Sequence, residues 1–460
     1  MNFYLREIFS RIGIDKSIFF TSSTSILSSF GSLLSIFLIV RYLSLGEQGF
    51  FYTFSSLVAI QAFFEMGLNG IIVQFVAHEV THLNWADSER LEGNPKHLSR
   101  LASLLRFSIY WYLTFAGLLF IVLIIIGFYF FNSYSDNSIT VNWKSPWILL
   151  AFGTVANLMV SPFLAFIQGL GKIKEVAQLQ FIQQLTRLIT LWLGLIFGFK
   201  LYVLGLSGIV AILPLLFYFF FKFKKVLISI WSSEIANKIS YKNEIFPFQW
   251  KIAISWISGY FIFQLFNPVL FATAGPKVAG QMGITITALN GILALSTSWI
   301  STKIPKFSNL IALKKYLELD NLFNKTIRQS AFVNLFGLII FCFILFWFDF
   351  SKFLLNGMNL RDRFLDYLPL IMMMIPIFIN NWVFGLATYL RCHKEEPLMP
   401  ISIVAAVLNS LSIYFLATKF GLNGITFGYC FIVVILFPWT YYIFNKYKNI
   451  WHSPNNHFAV

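Results

Sequence analysis

Charge is what this 460-residue chain has least of. Asp, Glu, Lys and Arg together make up 12% of it, about half of what a soluble domain carries. That excludes a water-soluble globule with a charged shell. Acidic residues are the scarcer sign, 19 against 34 Lys and Arg, giving a formal net charge of +15. Cysteine is nearly absent: Cys342, Cys392 and Cys430 are odd in number and far apart, which argues against a disulfide framework or a cysteine-based metal site. A small-residue cleavage site is missing near the N-terminus. MNFYLREIFSRIGIDKS is polar and basic, and the apolar run after it continues to Val40, too long for the apolar region of a cleavable signal peptide.

What is present is apolar. Hydrophobic residues make up 58% of the chain, in runs of about 20, enough to cross roughly 30 Å of hydrocarbon. The fold class expected is therefore an all-α polytopic membrane protein. Twelve spans are expected, near 18–40, 50–76, 107–131, 147–168, 179–199, 203–221, 252–274, 280–302, 330–348, 367–390, 399–418 and 425–444. The 55 phenylalanines read as lipid-facing filler. Loops that share a side with the termini hold 25 of the 34 basic residues, including Arg6, Arg11, Lys222 and Lys394. The opposite side holds eight, and Arg187 falls inside a span. That asymmetry predicts cytoplasmic termini. It also explains the positive charge through membrane lipids, without nucleic acid.

The break at 222–251 divides the chain into a first six-span bundle (1–221), a cytoplasmic linker (222–251) and a second bundle (252–460). The halves carry three weak echoes in the same order. Gln48-Gly49 is echoed by Gln281-Met282-Gly283, Gly171-Lys172 by His393-Lys394, and Gly205-Leu206-Ser207-Gly208-Ile209 by Gly421-Leu422-Asn423-Gly424-Ile425. An even number of spans per repeat makes the repeats parallel.

A charge at mid-bilayer costs about 2.5–3.5 kcal/mol on insertion scales, so such residues face protein or water. Glu65 lies near the middle of span 2 and Arg187 near the middle of span 5. Gln180, Gln184 and Arg187 share one helix face. Tyr260, Gln264 and Asn267 repeat that spacing on span 7. On span 8, Asn290 shares a face with Thr297 and Ser301 and leads to Lys303. For the Gln and Asn residues, lining a cavity and bonding to a neighbouring helix are equal readings. Ser25, Ser28, Ser32 and Ser35 read as a packing seam on span 1.

His78-Glu79-Val80-Thr81-His82 matches the HExxH pattern, in which two histidines on a helix hold zinc and Glu acts as base. Its usual support is missing. The positions where an extended motif would place Gly and a third His are Trp85 and Ser88, and nothing marks Glu89 or Glu92 as a ligand. No Asp-Gly dipeptide occurs, so the distal motif of intramembrane zinc proteases is absent. The expectation is no resident metal and no enzyme; a membrane zinc metalloprotease is the less favoured alternative.

Arg41-Tyr42-Leu43 with Gly46 and Gly49, then Glu65-Met66-Gly67-Leu68, and Gln168-Gly169-Leu170-Gly171-Lys172 resemble motifs of the polysaccharide flippases, the Wzx-type O-antigen flippases of the multidrug/oligosaccharidyl-lipid/polysaccharide exporter superfamily. Glu47 departs from the family's usual Pro and Glu65 from its commoner Asp. The resemblance implies two six-helix bundles around a central cavity, working by alternating access in a bacterial inner membrane. It implies a substrate made of an oligosaccharide on a polyprenyl diphosphate, for O-antigen, capsule or another surface polysaccharide. Partners would be polysaccharide polymerase and chain-length proteins. No cofactor is implied beyond a coupling ion, H⁺ or Na⁺. Arg187 suits a diphosphate or an acidic sugar. The substrate-binding set expected on these grounds is Arg187, Glu65, Gln184, Gln180, Arg41, Gln264, Asn267, Asn290 and Lys303. A drug/cation antiporter of the same superfamily is the alternative.

Overall fold

The computed structural model describes residues 16–86, 90–134, 141–352, 354–355, 358–393 and 395–452. Arg6, Arg11, Ser88, Glu89 and Lys394 lie outside the described residues. Nearly everything else is helix. The order is α1 (Lys16–Tyr42), α2 (Leu45–Val58), α3 (Ala62–Glu65), α4 (Leu68–Val80), α5 (Pro95–Tyr134), α6 (Lys144–Gly169), α7 (Ile173–Ile196) and α8 (Tyr202–Tyr218). Then come α9 (Lys224–Ser232), α10 (Phe246–Phe263), α11 (Phe266–Ser301), α12 (Ile304–Ala312), α13 (Tyr316–Ser351), α14 (Tyr367–Cys392) and α15 (Met399–His452). The described strands form two small antiparallel hairpins, Leu83–Trp85 with Leu91–Gly93 and Leu354–Leu355 with Met358–Asn359.

Nine helices among the described residues are long and apolar enough to cross a membrane. Two of these stretches are kinked at glycines with non-helical backbone, Gly275 (φ 83°) in α11 and Gly421 (φ 55°) in α15. Each kink separates two of the expected spans, so the apolar spans number eleven. The remaining one, α7, is 24 residues, about 36 Å at 1.5 Å per residue. Its glutamines and Arg187 make it the least apolar of the set. The outer faces carry the phenylalanines: Phe217, Phe221, Phe332, Phe343 and Phe427 each leave more than half their surface open.

Several boundaries differ from the sequence expectation. Span 2 is not one helix: the chain passes through a 3₁₀ turn at Ala59–Gln61 and breaks again at Met66 and Gly67. Helix α5 starts at Pro95, well before the expected 107, because its polar first turns pack on loop residues instead of lipid. The 222–251 segment is largely helical rather than a plain linker. The Gly205 and Gly421 echo is inexact. Gly205 is helical and buried, whereas Gly421 is itself a joint. The matching turn before α8 falls earlier, at Gly198 and Lys200, both with positive φ.

The chain divides by packing into two compact units. The first comprises Met1–Leu27, Leu57–Ser133 and Thr140–Ile257; the second comprises Ser28–Ser56, Tyr134–Ile139 and Ser258–Val460. In the first, α4 packs on α6, and α8 on both α6 and α7, around Leu68, Ile72, Leu101, Trp147 and Phe166. In the second, α11, α13, α14 and α15 pack together, with Phe307, Phe323, Leu386, Tyr389 and Phe444 in the core. Ser28–Ser56, first-half residues by sequence, therefore pack with the second half. The seam on α1 is only partly buried: Ser35 is covered, Ser28 is half-buried, Ser25 is open, and Ser32 faces Gly291.

Loop ends cluster as alternating spans require. In the first unit, Arg100 of loop 2–3 meets Glu244 of the 6–7 segment at 2.6 Å, and Lys172 of loop 4–5 sits over Trp85 of loop 2–3. In the second, Asp320, Tyr389, Lys448 and His452 join loop 8–9, the end of span 10 and the C-terminal helix.

Candidate functional site

The break in span 2 positions the deep carboxylate. Met66 (φ 48°) and Gly67 (φ 66°) are both left-handed. Such a conformation is easy for glycine and costly for methionine. Gly67 is also closely approached by Ile252, so the helix ends at Glu65 and restarts at Leu68. Glu65 Oε1 accepts from Asn69 Nδ2 at 2.7 Å, and Asn69 Oδ1 accepts from the Tyr112 hydroxyl at 2.8 Å. Tyr112 is buried. A relay thus runs from α5 across α4 to the break. Among the described residues no cation pairs with Glu65.

Arg187 stands apart from this relay. It is exposed, and among the described residues it has no hydrogen bond or ion pair. Gln180 is exposed and Gln184 half-buried. Val176, Leu179 and Leu188 on and beside the stripe are buried, while the face opposite it, with Ile182, Ile189 and Leu193, is apolar and open. The helix leaves Gln180 and Arg187 uncovered by its own unit, which lipid would penalise. The intervening Gln183 is used for packing. It donates to Asn157 Oδ1 at 3.1 Å, and Asn157 donates in turn to the carbonyls of Gly153 and Gly208. No bond joins Arg187 to Glu65, so these two deep charges are not a structural pair.

The remaining expected residues lie in the second unit. Arg41 is exposed, with its guanidinium 5.8 Å from the Tyr42 ring centre. Gln264 sits half-buried in the break between α10 and α11. Asn267 is buried and donates to Ser56 Oγ at 3.1 Å, a helix-to-helix bond. Asn290 is exposed while Thr297 of the same stripe is buried. Lys303 is exposed at the N-cap of α12.

Several polar residues were not foreseen. Asn69 was readable as the i+4 neighbour of Glu65; Tyr112, 43 positions away, was not. Ser44 and Glu47 form a reciprocal capping box at the start of α2 (2.8 and 3.2 Å). That accounts for Glu47 where Pro is usual, since the pattern S-x-x-E caps a helix start. Ser296, Ser330, Asn334 and Asn381 form a fully buried neutral network between α11, α13 and α14.

The HExxH stretch is put to another use. Only its first three residues are helical. Glu79 points inward, 2% exposed, and its two oxygens are taken by His97 at 2.7 Å and Arg100 at 2.8 Å. His82 stacks on His97, with ring centres 4.1 Å apart. His78 faces outward. Glu79 is thus the hub of an ion cluster that continues through Arg100 to Glu244, whose carboxyl is held below the usual range mainly by the Arg100 hydrogen bond. Among the described residues no group of three His, Cys, Asp or Glu side chains is placed to hold a metal ion.

No family model matches the chain, and no curated protein matches it. Solved structures do. An inward-facing multidrug resistance MATE family transporter of the MOP superfamily matches over 92% of this chain and 99% of its own, at 14% identity and TM-score 0.56. An outward-facing one matches over 95% and 97%, at 12% identity and TM-score 0.58. The lipid II flippase MurJ, in an inward closed conformation, matches over 93% and 89%, at 14% identity and TM-score 0.55. At such identities the likeness is one of fold: this chain has a polytopic helical fold similar to MATE and MurJ.

Proposed function

We propose that this protein is a transporter that flips a polyprenyl-diphosphate-linked oligosaccharide unit across the bacterial inner membrane by alternating access, with both termini in the cytoplasm. The observation that carries the reading is Arg187. A guanidinium at mid-span, open and without a partner among the described residues, faces water or substrate in a working protein, because lipid exposure there costs several kcal/mol, about 2.5–3.5 on insertion scales. Its fork matches phosphate and carboxylate oxygens, and the flanking Gln180 and Gln184 suit sugar hydroxyls. The fold's likeness to a lipid II flippase supports a lipid-linked cargo. Arg41, Gln264, Asn290 and Lys303, exposed or half-buried, extend the proposed contact set; Asn267 contributes through packing.

The drug/cation antiporter reading is favoured by one observation. Glu65 is a deep carboxylate without an ion-pair partner among the described residues, suited to taking up H⁺ or coordinating Na⁺, and the fold is equally similar to that of MATE transporters. The two readings part at Arg187. In cells that depend on this protein for surface polysaccharide, Arg187→Ala is expected to abolish polymer display at normal membrane abundance, and Arg187→Lys to keep part of it. Full display with Arg187→Ala removes the residue from the substrate path. Export of organic cations that survives this substitution favours the antiporter.

A further inference from the structure

The turn Leu360–Arg363 between α13 and α14 buries two arginines, Arg361 and Arg363, at 6% and 5% exposure. A buried guanidinium must be held by other groups, and the two are held differently. Arg361 is held locally: Nη1 donates to the Leu365 carbonyl at 2.6 Å, and the guanidinium lies 4.3 Å from the Tyr367 ring centre. Arg363 reaches to the far end of the sequence. Its Nη1 donates to the Leu43 carbonyl at 2.9 Å and to Gln48 Oε1 at 3.3 Å.

The turn also accepts. Gln48 Nε2 donates to the Arg363 carbonyl at 3.3 Å, and Gln281 Nε2 to the Asp362 carbonyl at 2.8 Å. These are the two glutamines that echo each other at the starts of spans 2 and 8. One turn therefore accepts from both glutamines of the echoed pair through neighbouring carbonyls. Beneath it the helices touch. A Cβ on Gly49 would collide with the Pro276 carbonyl oxygen. A Cβ on Gly280 would lie 2.9 Å from Gly49 N, and Gln48 Nε2 donates to the Gly280 carbonyl at 2.8 Å.

We propose that the turn 360–365 is a clasp, fastened permanently to α11 and releasably to the hairpin Ser28–Ser56, with Arg363 as the positioning residue that closes it. The permanent side is held by Gln281 and by Leu365 N, which donates to Thr285 Oγ1 at 3.1 Å. The releasable side joins Arg363 to Leu43 and Gln48, and release also parts the Gln48 bond to Gly280 and the Asn267 bond to Ser56. Arg363, Leu43 and Gln48 lie at span ends, where water replaces each lost bond. The 3₁₀ turn at Ala59–Gln61, directly beyond Ser56, supplies a joint at which the hairpin can swing. Closed, the clasp stabilises one state of the transport cycle; open, it frees the hairpin for the other.

The test has two arms, and only the second rests on the transport reading. In the purified full-length protein, Arg363→Ala and Gln48→Ala are each expected to speed amide exchange across 43–52 at least tenfold, leaving 286–292, beyond the Gln48 contact, unchanged. Arg363→Lys is expected to be intermediate, and Arg361→Ala to act only on 360–367. Unchanged exchange at 43–52 in both Arg363→Ala and Gln48→Ala overturns the clasp. With Cys342, Cys392 and Cys430 replaced by Ala, Gln48→Cys and Arg363→Cys are joined by a short cleavable crosslinker. Transport is expected to stop and to return on cleavage, while a Gln281→Cys, Asp362→Cys link leaves it running. Full transport by the linked first pair overturns the release. Absence of transport in every form, cleaved or not, counts against the transport reading, and the exchange arm still judges the clasp.

Discussion

Two of the breaks in spanning helices among the described residues are built differently. Between α10 and α11 the chain leaves the helix at Gln264 and Leu265. The carbonyls of Phe261 and Ile262 are taken up by one neutral side chain, the buried Asn409, at 3.1 and 2.9 Å. At Met66 and Gly67 the side chain standing at the break is a carboxylate, bonded through Asn69 to Tyr112. Any break inside hydrocarbon must have its polar groups satisfied. An amide from a neighbouring helix does that without charge and leaves nothing to titrate. A carboxylate at the same kind of place adds a group that can change protonation or bind a cation. The first break is a structural joint, and the second is where we propose a functional carboxylate.

The sharpest way to break that contrast is to exchange the roles by mutation. Glu65→Gln keeps a hydrogen-bonding side chain and removes the charge. Transport is expected to fall more than a hundredfold at normal membrane abundance. Asn409→Ala strands two buried carbonyls, at about 1–3 kcal/mol, so melting temperature and abundance are expected to fall while the surviving protein transports. A fully active Glu65→Gln protein, or an Asn409→Ala protein of unchanged stability, erases the distinction.

A smaller effect is expected one link along the relay. Tyr112→Phe removes the hydroxyl that bonds Asn69, a loss of about 0.5–1.5 kcal/mol, and loosens the hold on Glu65. Its signature is a shift in the pH profile of transport that exceeds its effect on melting. A melting shift with an unmoved profile would make Tyr112 a packing residue only.

Glu244 offers a comparison outside the membrane. Arg100 holds its carboxyl below the ordinary value of 4.5. A depressed carboxylate contributes stability that is fully present above the ordinary value and lost as pH falls through the depressed one. Melting is therefore expected to hold steady from neutral pH to about 4.5 and to decline below it, less steeply in Glu244→Gln. Identical profiles for the two proteins would detach Glu244 from acid stability. The smallest effect is expected at His78, which is 74% exposed. His78→Ala should leave transport and melting unchanged. Metal analysis of the purified protein is expected to show less than a tenth of an equivalent of zinc; an equivalent lost in His78→Ala would restore the protease reading.

The course of the helices was legible because hydropathy is local. Each apolar run announces its own span, and the kinks at Gly275 and Gly421 fall between runs already separate in the sequence. The break at Met66 and Gly67 was visible only as a charge inside a run. A Met-Gly pair permits a left-handed step without forcing one, and only the fold shows that Ile252 leaves no room for a side chain at Gly67. Glu47 looked like a missing proline, although Ser44-x-x-Glu47 is a readable capping pattern.

The sequence by itself determined that this is a membrane protein of many helices, with basic residues concentrated in alternate loops. Burial of apolar surface in lipid adds up residue by residue and needs no knowledge of neighbours. Tertiary structure alone decided the partnerships: Glu79 with His97 and Arg100, Arg363 with the span 1–2 turn, and Arg187 without Glu65. Ion pairs and hydrogen bonds depend on distances of about 3 Å between groups that can be hundreds of residues apart, and no pattern along the chain records which of them will meet.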